Sequence, residues 1–120
     1  MNQMNEEKFA LFAFNGDEMC FVHVLLNAID FHEKGYKVET IIEGSATRLL
    51  PKLHKPEHSF HSLYQRAKDL HLIRGVCRAC AHKMGTLQDA EEQALPILAD
   101  MKGHPGIAEF VQQGYTIITF

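Results

Sequence analysis

Phe9-Ala10-Leu11-Phe12-Ala13-Phe14, closed by Asn15-Gly16-Asp17, is a continuous apolar run that ends on turn formers. A strand with one solvated face alternates apolar and polar residues, whereas a strand covered on both faces does not, so this run reads as an internal strand of a sheet. In residues 18–34, His23, Asn27, Asp30 and Lys34 recur at helical spacing and apolar side chains fill the remaining circumference. Gly35 ends that helix, and residues 38–42 form a second strand running into Glu43-Gly44. Strand, helix and strand in this order imply a parallel βαβ unit with a right-handed crossover.

The helix is apolar over more than one face, including Met19 and Leu26. Two readings stand side by side: deep burial within the domain, or packing of the surplus against another subunit.

Further along, Ser45 reads as the N-cap of a short helix with Ala46, Leu49, Leu50 and Leu53 on one side, shortened or bent by Pro51. A polar loop over residues 54–59 precedes an amphipathic helix in which Phe60, Leu63, Tyr64, Ala67 and Leu70 share a face. Residues 72–76 form a third strand leading directly into the helical turn Cys77-Arg78-Ala79-Cys80-Ala81-His82-Lys83. A helix follows over residues 86–93. Residues 95–100 read as a short fourth strand in preference to a helical extension, Pro96 breaking either pattern. His104-Pro105 is expected to open a last helix with Ile107, Phe110 and Val111 inward, and residues 115–120 to form a final buried strand. The whole describes a three-layer α/β/α domain on a mainly parallel sheet of about five strands.

The 120 residues and 13.6 kDa fit a single domain. Hydrophobic residues at 46% and charged residues at 22% exclude disorder and low-complexity classes. Twelve basic against fifteen acidic residues leave a net charge of −3, without the basic stripe that phosphate neutralisation needs, so no nucleic-acid partner is expected. No apolar stretch reaches the ~18–20 residues of a membrane span. The polar, acidic start is unlike a secretory signal, and a cytoplasmic location is expected. Three cysteines, Cys20, Cys77 and Cys80, are an odd number, which points away from a disulfide framework and towards chemistry.

In an open parallel sheet, reactive groups gather beyond the carboxyl ends of the strands. Asn15-Gly16-Asp17, Glu43-Gly44-Ser45, Cys77 to Cys80 and, with a fourth strand, Gly103-His104 all converge on that edge. A strand running into a helix start offers free N–H groups to a sulfur anion, and Arg78, His82 and Lys83 add positive charge, so Cys77 is expected to be more acidic than a free thiol. Cys80, one turn on, can pair with Cys77 or take over its sulfur. The competing account is that both cysteines merely pack under the sheet edge. Asn15-Gly16-Asp17-Glu18 supplies one glycine and two carboxylates where nucleotide binders keep a Gly-rich loop, which disfavours anions; these residues, Asn15 and Asp17 among them, are expected to shape the pocket, with Asp17 or Glu18 capping the first helix.

The segment Gly75-Val76-Cys77-Arg78-Ala79-Cys80-Ala81-His82-Lys83-Met84-Gly85 resembles the cysteine region of the DsrE/DsrF-like proteins, including TusD-type sulfur relay subunits. The likeness extends to the first strand, the apolar helix after it, the turn at Glu43-Gly44 and the closing Gly114-Tyr115. It implies a five-stranded parallel sheet, assembly into oligomers, and a cysteine matching Cys77 that receives sulfane sulfur from a donor protein as a persulfide and hands it to an acceptor. Cys80 departs from the pattern, since relay proteins tend to have alanine there. A second thiol would attack a persulfide on Cys77, release sulfide and leave a disulfide.

The expected reading is therefore a sulfur carrier or sulfurtransferase, homo-oligomeric, working through Cys77 and Cys80 with no cofactor. Arg78, His82, Lys83, Asn15, Asp17, Glu43 and His104 are expected to tune or line the site. The alternative is a binding module in which Cys77, Cys80 and His82, or His104 from a neighbouring loop, hold a metal or the pocket takes a small molecule. Cys20, flanked by Met19, Phe21 and Val22, is expected in the core. His54, His58 and His61 are read as a solvated loop.

Overall fold

In the computed structural model, residues 7–120 are described. Five strands form one parallel sheet: β1 (Lys8–Ala13), β2 (Lys37–Ile42), β3 (Ile73–Cys77), β4 (Ile97–Leu98) and β5 (Tyr115–Thr119), in the order β4-β3-β2-β1-β5. β1 pairs with β2 from Lys8–Lys37 to Ala13–Ile42 and with β5 from Lys8–Tyr115 to Phe12–Thr119, so the apolar run is internal, as its unbroken hydrophobicity requires.

Alternation along β1 separates two cores. Leu11 and Ala13 join Phe21, Leu25, Leu49, Leu53 and Tyr64 beneath α1 (Glu18–Glu33), a 3-10 helix (Gly44–Leu49), α2 (Leu50–His54) and α3 (His61–Asp69), together with Ala81 of α4 (Arg78–Met84) and Ala90 of α5 (Leu87–Glu92). Ala10 and Phe12 face the other way and cluster with Ile41, Phe110 of α6 (Ile107–Gln112) and Tyr115, against which Leu98 and Ile117 pack. The strand order explains this asymmetry. From β1 to β4 each step moves the same way across the sheet, so right-handed crossovers put their helices on one face. The return from β4 to β5 runs the opposite way, and its helix, α6, falls on the other face.

Several local expectations are corrected. Ser45 does not cap a helix; its hydroxyl accepts from the Gly16 N–H at 2.8 Å and donates to the Phe14 carbonyl at 3.3 Å, stitching the loops after β1 and β2. Pro51 sits in the first turn of α2, where its missing N–H costs nothing, and so divides the 3-10 helix from the α-helix. The last helix begins after Gly106, because His104 is held in a bridge to Met101. Of its predicted inward residues only Phe110 is buried, while Ile107 and Val111 are exposed, since a two-turn helix on a sheet edge has one buried stripe. β5 is an edge strand paired only with β1, which leaves Thr116 and Thr119 exposed. Most of the apolar surplus of α1 is buried within the fold, with Met19 and Leu26 left exposed. Among the described residues no helix is long and apolar enough to cross a membrane.

A buried polar link ties α5 to the 3-10 helix: the Thr86 hydroxyl donates to the Thr47 carbonyl at 2.9 Å. Thr86→Val is expected to remove this bond while the Thr47 carbonyl keeps the Leu50 N–H, and to lower stability by about 0.5–1.5 kcal/mol, read as a drop in urea midpoint at unchanged m-value.

Candidate functional site

β3 and β4 are neighbours whose onward connections leave for opposite faces, β3 into α4 and β4 towards α6. Such a reversal opens a crevice beyond the carboxyl ends of the strands. Cys77 stands at its centre, as the last residue of β3 and the N-cap of α4. Across it lies His104, held in place by paired backbone hydrogen bonds between Met101 and His104 and by the Ala79 N–H donating to the Gly103 carbonyl at 2.9 Å. The His104 Nδ1 is 3.1 Å from the Cys77 Sγ and 3.7 Å from the Cys80 Sγ. The Cys80 backbone N–H donates to the Cys77 Sγ at 3.4 Å, and Glu43, from the end of β2, completes the group. One donor atom from each of Glu43, Cys77, Cys80 and His104 lies within 4.8 Å of the others.

Burial sets the electrostatics. Cys77 is fully buried, and its thiol is pushed up to about 12 chiefly by loss of solvent; the Cys80 N–H pulls it down, while the Cys80 thiol and the Glu43 charge push it further up. The expectation of an acidic Cys77 is thereby corrected: one N–H and a two-turn helix do not offset removal from water beside a carboxylate. Glu43, 5% exposed, has its carboxyl raised to about 7 by burial, against which its hydrogen bond with Cys77 acts. Cys77 is held as a protonated thiol with the His104 Nδ1 in hydrogen-bond reach, so a group able to accept its proton stands beside it.

Beside this cluster a cleft of about 500 Å³ is lined by Phe14, Glu43, Met101, His104, Pro105 and Ile107 among others. Glu43 and His104 belong to both, so they form the wall between the cleft and the sulfurs. Cys80 is half-buried and is the more accessible thiol.

The remaining candidates lie elsewhere. Arg78, His82 and Lys83 are exposed, and Arg78 and His82 line a separate depression with Ala79, Leu87 and Gly103. His82 is five residues beyond Cys77, about 140° round the helix, and does not join the Cys77, Cys80 and His104 donors; Glu43 takes that place. Asn15 and Asp17 serve the backbone: the Asn15 Oδ1 accepts from the Asp17 N–H, and the Asp17 carboxylate caps α1 by accepting from the Cys20 N–H. Cys20 is half-buried in the first turn of α1, where its N–H is bound by the Asp17 cap, and is not in the core, which the adjacent Phe21 and Val22 enter instead. The three histidines do not form a solvated loop: His54 ends α2 and His61 begins α3, and each is separately engaged, His54 with Lys68, His58 with Glu18 and the Phe60 N–H, and His61 with the Leu53 carbonyl.

Comparison with known proteins finds similar archaeal sequences. The "Uncharacterized protein MJ0733" of Methanocaldococcus jannaschii is 32% identical over 111 residues, spanning 92% of this chain and 88% of that protein. The chain belongs to the MJ0733 family. Two uncharacterized proteins of Archaeoglobus fulgidus are also similar, one 48% identical over 44 residues (37% of this chain, 72% of that protein) and one 38% identical over 37 residues (31% and 100%). No family model matches the sequence. In this member of the MJ0733 family, the crevice between β3 and β4 therefore stands on its own chemistry: two thiols, an imidazole and a buried carboxyl beside an apolar-rimmed cleft.

Proposed function

We propose that the protein is a sulfur-accepting thiol protein in which Cys77 takes up sulfane sulfur as a persulfide and Cys80 resolves it. The observation that carries this reading is the 3.1 Å separation of the Cys77 Sγ and the His104 Nδ1, with a second thiol one helical turn away. The resemblance of the Gly75–Gly85 segment to DsrE/DsrF-like proteins supports the same role for Cys77.

The chemistry balances as follows. His104 takes the thiol proton of Cys77, and the thiolate attacks the outer sulfur of a persulfide donor R–S–SH. The Cys77 S–S bond forms, the donor's S–S bond breaks, and R–S⁻ leaves and recovers the proton. Cys80, as thiolate, then attacks the Cys77 Sγ, expelling hydrosulfide and leaving a Cys77–Cys80 disulfide, or an acceptor thiol removes the sulfur first. An external dithiol reduces the disulfide and restores the pair. Burial of Cys77 keeps the thiol protonated until a donor occupies the cleft, which suits a sulfur that must not be lost to stray oxidants. Phe14, Met101 and Ile107, exposed around the cleft, and Met19 and Leu26 on α1 offer apolar surface to a donor protein, an acceptor or a second subunit in a reducing cytoplasm.

Reduced protein incubated with a low-molecular-mass persulfide tests the reading. The wild type is expected to gain sulfur or the disulfide by intact mass, and Cys77→Ser to gain neither. An unmodified wild type, with both thiols still alkylated by iodoacetamide after unfolding, contradicts it.

A further inference from the structure

We propose that Glu43, Cys77, Cys80 and His104 together bind one thiophilic divalent metal ion, of which Zn²⁺ is the model. Two thiolates, one imidazole and one carboxylate form a closed tetrahedral donor set of the kind zinc takes in preference to oxygen-loving ions. With metal–sulfur bonds of about 2.3 Å and metal–nitrogen or metal–oxygen bonds of about 2.0–2.1 Å, donors at tetrahedral corners stand roughly 3.3–3.8 Å apart. His104 already stands at 3.1 Å from one sulfur and 3.7 Å from the other, and no pair in the group exceeds 4.8 Å. An inward movement of at most about 1.5 Å at the widest pair closes the site.

The surroundings favour the same conclusion. Three different segments deliver the donors, the ends of β2 and β3 and the loop after β4, so the set is a product of the fold and not of a local turn. Glu43 and Cys77 are 5% and 0% exposed and aimed into the group, where a bivalent cation offsets the burial of their anionic forms. The Met101–His104 bridge fixes the backbone that carries the imidazole, and the Cys80 N–H to the Cys77 Sγ orients one sulfur. Binding exchanges the metal for the two thiol protons, and the carboxylate and the imidazole enter in their unprotonated forms. No oxidation or reduction is involved. A bound metal occupies both thiolates, so metal-loaded protein is closed to the sulfur chemistry proposed above; the metal site itself does not depend on that chemistry.

The test uses reduced full-length protein, stripped with a chelator and never exposed to a persulfide. Equilibrium dialysis against Zn²⁺ is expected to give one ion per chain, and Co²⁺ in its place to give the thiolate-to-metal charge-transfer absorption and the intense visible bands of tetrahedral cobalt. Cys77→Ser, His104→Ala and Glu43→Gln are each expected to weaken Zn²⁺ binding on the order of tenfold or more, while His82→Ala leaves it unchanged. Circular dichroism of each variant checks the fold, and Glu43→Gln, the most conservative in shape, decides if another variant fails to fold. Substoichiometric Zn²⁺, octahedral cobalt bands, or equal affinity in Glu43→Gln and wild type overturns the proposal. Persulfide uptake, measured separately on metal-free protein, stands or falls independently of these results.

Discussion

Cys80→Ser is expected to convert the protein from one that releases sulfide into one that retains a persulfide on Cys77. In the wild type the second thiol lies close enough to Cys77 for its backbone N–H to reach the Cys77 sulfur and for both sulfurs to face the same imidazole nitrogen. Intramolecular attack at such range outcompetes dilute external thiols, since held partners behave as though present at very high effective concentration. Wild-type protein given one equivalent of persulfide should therefore liberate hydrosulfide and end as the Cys77–Cys80 disulfide. Without Cys80 the resolving step has no nucleophile, and the sulfur stays until an acceptor removes it. Sulfide release, read with a colorimetric assay, should fall to background while intact mass shows a stable adduct. Undiminished sulfide release from Cys80→Ser contradicts the assignment of Cys80 as resolving thiol.

The second large effect concerns a residue with no chemistry of its own. A Cβ on Gly75 would stand 2.8 Å from the Pro96 carbonyl oxygen and 2.7 Å from the Leu98 Cγ. Leu98 can turn aside. The Pro96 carbonyl cannot, because it accepts from the Val76 N–H at 2.9 Å and is part of the backbone that pairs β4 with β3. Since β4 is only two residues long, it is the element that yields. Gly75→Ala should accordingly lower stability by about 1–3 kcal/mol, the range for forcing extra volume into a packed site, seen as a lower urea midpoint. The displaced strand carries the loop that holds His104, so the same substitution should speed alkylation of Cys77 in the folded protein. An unchanged midpoint together with an unchanged alkylation rate contradicts the role assigned to Gly75.

These two sites also mark how far the sequence could be read. The β1-α1-β2 unit was legible because an unbroken apolar run has few other homes, and α3 because its stripe repeats at helical spacing. The convergence of Glu43, Cys77, Cys80 and His104 on one edge was legible too, since parallel topology sends the ends of β2, β3 and β4 to the same side. What the sequence hid was the sign of the environment. Arg78, His82 and Lys83 lie close to Cys77 along the chain and face away from it, whereas His104, 27 residues distant, is in contact through the adjacency of β3 and β4. Helical rotation disperses neighbours in sequence, and sheet order gathers strangers. The elevated thiol of Cys77 follows from the same cause, because burial is a property of the assembled sheet edge and not of the segment from Gly75 to Gly85. At the carboxyl end the predicted inward faces of Ile107 and Val111 failed for a related reason: a short helix over an edge strand lacks a second surface to bury them.

Cleavage after Arg74, Arg78 and Lys83 places Cys77 and Cys80 on separate tryptic peptides, Gly75-Val76-Cys77-Arg78 and Ala79-Cys80-Ala81-His82-Lys83. This permits a direct measurement on Cys80→Ser and, in parallel, on Cys77→Ser: metal-free protein is exposed to one equivalent of persulfide, quenched by alkylation, digested and mapped by mass spectrometry. The sulfur adduct is expected on the peptide carrying Cys77 in Cys80→Ser, with the Ala79–Lys83 peptide of Cys77→Ser unmodified except by the alkylating agent. An adduct on Cys80 in Cys77→Ser, with Cys77 unmodified in Cys80→Ser, contradicts the assignment of Cys77 as the sulfur acceptor.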